Sequence, residues 1–95
     1  MIHIDKTAYH LIADKLRREI GTDDYYSGEV VHQTPEYDAT LTSTLIIYRS
    51  THTAPDRTFT TIDDIVPVWW EFHTFNQQGE ILNDFSFTEL RNYLK

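Results

Sequence analysis

The chain has 95 residues, with eight Lys and Arg against fifteen Asp and Glu, five His and no Cys. The missing cysteine excludes disulfides, thiolate nucleophiles and cysteine zinc sites, and a net charge of −7 sets the surface against phosphate backbones and so against direct nucleic-acid binding. No apolar run reaches membrane-spanning length and the first residues lack the basic and apolar regions of a signal peptide, so a single soluble domain, 1–95, located in the cytoplasm and without membrane attachment, is expected.

Residues 5–20 read as a helix. Ala8, Leu11, Ile12, Leu16 and Ile20 recur at spacings of three and four. Asp5 suits the N-cap and Ile4 can staple against Tyr9. Arg17 and Arg18 fall in the last turn, where the helix dipole favours cations, and Gly21 follows as the left-handed terminator.

Tyr25–Gln33 reads as a first strand and Thr34-Pro35-Glu36 as a turn. Tyr37–Arg49 reads as a longer strand, with Leu41, Leu45 and Ile47 on one face and a Thr40-Thr42-Thr44 ladder, Ile46 and Tyr48 on the other. Residues 50–63, rich in Thr and carrying Pro55 and Asp56, read as one long connecting loop. Val66–Phe75 is a third strand holding both tryptophans. Read with period two, Val66, Val68, Trp70 and Phe72 form a core face, and Trp69, Glu71, His73 and Phe75 the opposite one. Asn76-Gln77-Gln78-Gly79 is a hairpin turn signal and Glu80–Asn83 a short return strand. Ser86-Phe87-Thr88-Glu89 has the pattern of a capping box that opens a last helix, 86–94, with an apolar stripe of Phe87, Leu90 and Leu94.

The predicted fold class is α+β: a two-layer sandwich in which the N-terminal and C-terminal helices cover one face of a four-stranded antiparallel meander, in the order α-β-β-β-β-α. Leu11, Leu16, Leu41, Leu45, Val68, Trp70, Phe72, Leu90 and Leu94 are the predicted core. The element order resembles that of small cystatin-like sheets that wrap a helix, a likeness of order that no motif carries.

The chemical motifs are sparse. Gly21, Gly28 and Gly79 are far apart, so no phosphate-binding loop is formed, and there is no HExxH or GxSxG pattern. His10 and Asp14 have metal-ligand spacing on a helix but lack a third ligand nearby. Neither a metal nor a cofactor is expected, and no catalytic set can be assembled. The remaining candidate is the open face of the sheet, carrying Trp69, Glu71, His73 and Phe75 with Ile46 and Tyr48 beside them. Large rigid aromatics on an open face are the composition of recognition surfaces. The expected function is a non-enzymatic protein-binding or assembly module, its partner another protein or a second copy of the chain in a homodimer. The alternative is a small ligand-binding protein or enzyme with a pocket near His73 and Glu71 under the 50–63 loop.

Overall fold

In a computed structural model that describes residues 1–95, helix α1 runs from Lys6 to Ile20. The Asp5 carboxylate accepts the Ala8 N–H at 2.8 Å, and Gly21, at φ 56°, ends the helix with its N–H on the Arg17 carbonyl. The buried stripe is Ala8, Tyr9, Ile12, Ala13, Leu16 and Ile20. Leu11 was expected in it but is 45% exposed. At about 100° per residue it lies roughly 140° around the helix from the centre of that stripe.

Four strands follow: β1 Tyr25–Gln33, β2 Asp38–Ala54, β3 Arg57–Asn76 and β4 Gly79–Ile81. They form one antiparallel sheet in sequence order, and helix α2, Phe87–Leu94, closes the chain. The α+β order read from the sequence is thus the observed one, with both helices on the inner face. That face is laid out in rows by the pairing: Tyr26 beside Leu45, Gly28 beside Ser43 and Trp70, Val30 beside Leu41 and Phe72, His32 beside Ala39 and Thr74. Gly28 is closely approached: the Tyr26 ring folds over it, and a Cβ there would lie 2.7 Å from the Tyr26 hydroxyl, so that ring would have to shift. Leu16, Leu41, Leu45, Leu90 and Leu94 are buried, as predicted, joined by Ile47 and Ile65.

The period-two reading of β3 fails at one residue. Thr44 pairs with Trp69 and Leu45 with Pro67, so Val68 has no partner. This bulge exchanges the two faces of the strand upstream of it. Ile65 therefore points into the core and Val66 outward, while Val68, expected inside, is 61% exposed. Trp70 is on the inner side but at the rim, 38% exposed, with its ring against Phe85 and Phe87. Phe72 stacks on Phe85 at 3.9 Å.

Residues 50–63 are not a loop. They form a two-stranded ribbon that prolongs β2 and β3, paired from Ser50 with Thr61 to Ala54 with Arg57 around a Pro55-Asp56 turn. The ribbon lies beyond the helices and beyond β1, so apart from Ile62 at its root it packs no apolar side chain on the core and leaves no alternating apolar signal in the sequence. The molecule measures 56 × 24 × 18 Å with a radius of gyration of 15.1 Å, against about 12 Å for a compact domain of this length. The root of this arm is tied down by Arg49, which donates to the carbonyls of Gly21 and Asp23 at 3.0 and 2.9 Å and faces the Asp24 carboxylate. Further out, His52 stacks on Phe59, and the Arg57 guanidinium lies 5.1 Å from the same ring. No helix of the chain is long and apolar enough to cross a membrane.

Candidate functional site: the open face of the sheet

The pairing registers assemble the outer face as they do the inner one. Tyr25, Ile46 and Val66 form one row across three strands, and Ser27, Thr44 and Trp69 the next. Glu29, Thr42 and Glu71 follow, then Val31, Thr40 and His73, then Gln33, Asp38 and Phe75. All six residues singled out from the sequence, Trp69, Glu71, His73, Phe75, Ile46 and Tyr48, stand on this face, but they divide into two regions.

The region at the root of the arm is apolar. Trp69 is 48% exposed, and Tyr25, Ile46, Tyr48 and Val66 are exposed around it. Tyr25 and Val66 complete the patch. Val66 was assigned to the core face by unbroken alternation along the strand; the bulge that turns it outward adjoins Pro67, whose missing N–H is its one local sign. It arises where Leu45 pairs with Pro67, a contact between residues far apart in sequence.

The region near β4 is polar and holds His73 between two carboxylates. Its Nε2 is 3.2 Å from Glu71 and its Nδ1 3.2 Å from Glu80. Hydrogen bonding to Glu71, and then to Glu80, raises the imidazole above its ordinary pKa, so the charged form is favoured. With both nitrogens occupied, the ring is a poor general base. The carboxylates lie at opposite nitrogens and do not converge on a point where one ion could sit, and no other group of three His, Asp or Glu side chains does so. The arm does not roof this region: His73 is eleven positions along β3 from Ile62, roughly 35 Å of extended chain.

A hydroxyl and an imidazole do meet on the arm, where His52 Nε2 and Thr61 Oγ1 are 3.0 Å apart and Asp63 contacts both the Thr61 and Ser50 hydroxyls. The acid there engages the hydroxyls, not the imidazole, so it does not orient the histidine as a base. These groups are exposed on a ribbon with no surrounding wall. The largest cavity, about 540 Å³, lies elsewhere, between the start of α1 and the β1–β2 turn. No protein-family model, no curated protein and no solved structure matches this chain.

Proposed function

We propose that this chain is a non-enzymatic binding and assembly module that works through the open face of its sheet, with a second copy of the chain as its simplest partner. One observation carries the reading: Tyr25, Ile46 and Val66 stand in a single row across three strands, with Tyr48 and Trp69 beside them, all exposed. Contiguous apolar surface of this kind marks interaction sites, whereas apolar residues exposed singly do not. An antiparallel sheet with its helices on one side leaves the other face wet or covers it. A two-fold pair covers it with the same patch on both copies.

The arm supports the same reading. A two-stranded ribbon is marginal on its own in water, and this one has unpaired edges next to the patch. Either edge offers backbone donors and acceptors to an added strand. A stable pair buries about 1,200–2,000 Å² in total, within reach of a molecule 56 Å long and 24 Å wide.

Light scattering on the purified protein tests the proposal. The wild-type chain is expected to associate at high micromolar concentration and Trp69→Glu to remain monomeric. A wild type that stays monomeric across that range removes the self-association reading.

A further inference from the structure

The 540 Å³ cavity between the first turn of α1 and the β1–β2 turn is separate from the open sheet face, and its size falls within the range of small-molecule sites. Leu11, turned away from the core, forms part of its apolar wall together with Ala8 and Tyr37. The lining also contains His32, which is only 5% exposed. That imidazole makes no hydrogen bond to the rest of the chain, and its nitrogens are not among the polar atoms sealed in the core, so on a residue that lines the cavity they remain accessible. Burial, reinforced by Lys15, holds it below its ordinary pKa and therefore neutral near pH 7. A neutral imidazole presents one acceptor nitrogen and one donor. The Tyr37 ring stands edge-on to it, with centroids 6.3 Å apart. An imidazole this nearly enclosed, with no partner in its own chain, keeps its hydrogen-bonding capacity for what enters the cavity.

The lining holds the carboxylates of Asp5 and Glu36 and no Lys or Arg, though His3, favoured in its charged form by Asp84, also lines it and Lys15 lies near His32. Asp5 uses one oxygen to cap α1 and keeps the other free, and its charge offsets the positive end of the helix dipole. His3 is engaged by Asp84, and the Thr34 hydroxyl is committed within its turn. The uncommitted groups that remain are two carboxylates, an imidazole acceptor, the Thr7 hydroxyl and the Gln33 amide around an aromatic ring. A primary ammonium carries three donors and no acceptor, and is drawn to aromatic faces.

We propose that this cavity binds a small organic cation, a primary amine with a short apolar chain. Asp5 and Glu36 hold the ammonium, His32 accepts one of its hydrogen bonds, and Leu11 and Tyr37 cover the apolar part. The probe is n-butylammonium, titrated near neutral pH into the isotope-labelled full chain and followed by amide NMR, with butanoate and butanol as comparisons. Butylammonium is expected to give saturable shifts at Thr7, Leu11 and Gln33, and butanoate none. Asp5→Asn, which keeps a capping side chain, and Glu36→Gln should each weaken binding about fivefold, the scale of one close charge pair in water. Trp69→Glu should leave the titration unchanged, which separates this site from the sheet face. Equal shifts with butanoate, no saturable shift with butylammonium, or unweakened binding in both variants would overturn the proposal.

Discussion

His73 shows how placement sets the chemistry of a single side chain. A histidine on an exposed strand face ordinarily titrates near 6.5, and the two carboxylates raise this one. A base whose folded pKa is raised contributes stability that is fully present below about pH 6.5 and is lost as the pH rises through the folded value. An NMR titration of the His73 ring should therefore give a midpoint above 6.5, and Glu80→Gln should lower it. A wild-type midpoint at or below 6.5 would mean that the carboxylates do not bracket the ring in solution. His32 acts in the opposite direction. Its folded pKa is lowered by burial first and by Lys15 second, so protonation of the unfolded chain below about pH 6.5 costs the fold stability. Both histidines were visible in the sequence. Their opposite behaviour was only partly so: Glu71, the larger influence on His73, is two residues away on the same face, but Glu80 reaches it through a hairpin and α1 buries His32 from the other layer.

At the scale of elements, the last helix forms where its sequence places it but is fastened differently. The Ser86 hydroxyl accepts the Glu89 N–H at 3.3 Å, which is half of the predicted capping box. The reciprocal half is absent: the Ser86 N–H donates instead to the Tyr9 hydroxyl at 3.0 Å. That bond ties the start of α2 to α1, where Tyr9 also stacks on Phe85 and Tyr93. Ser86→Ala should cost about 0.5–2 kcal/mol through the lost cap. Tyr9→Phe should cost about 1 kcal/mol or somewhat more by leaving a half-buried amide unpaired. Glu89→Ala should cost no more than the 0.3–1 kcal/mol or so of a helix-dipole interaction. Urea denaturation midpoints rank the three, and a Glu89→Ala protein less stable than Tyr9→Phe would restore the reciprocal bond. The caps at Asp5 and Ser86 were legible in the sequence because a cap is local, spanning three or four residues. The Tyr9–Ser86 bond joins positions 77 apart, and nothing in either segment announces it.

At the scale of the whole molecule, the fold is a compact body with an arm. The body holds the core, from Ile12 and Leu16 on α1 to Leu41, Leu45 and Ile65 on the sheet and Leu90 and Leu94 on α2. The ribbon adds length without adding to that core. Replacing residues 50–61 by a tight Asn-Gly turn between Arg49 and Ile62, which already pair, should leave the denaturation midpoint of the monomer nearly unchanged. In the wild type, the amides of Thr53 and Thr58 should exchange with solvent far faster than those of Leu41, Leu45 and Ile65. Large destabilisation by the deletion, or protection of the arm equal to that of the body in a monomer, would mean that the ribbon is part of the folding unit. If the open face is an assembly surface, the arm amides should gain protection at concentrations where the chain associates.

Local chemistry was enough to place both helices with their caps, to delimit β1 and to identify the leucines of the core, Leu16, Leu41, Leu45, Leu90 and Leu94. Hydrogen bonds within a turn and apolar periodicity within a segment are written in contiguous residues. Three features were decided only when the strands and layers met. The bulge at Val68 comes from the pairing of Leu45 with Pro67, and it turned Val66 from an expected core residue into part of the exposed patch. The ribbon at 50–63 packs only Ile62 against the core, so it has no apolar period by which to be told from a loop. The cavity at His32 exists because the capped start of α1 faces the turn between β1 and β2, two segments that share no motif. In each case the deciding interaction lies between residues distant in sequence, and its energy is set by what is packed against them.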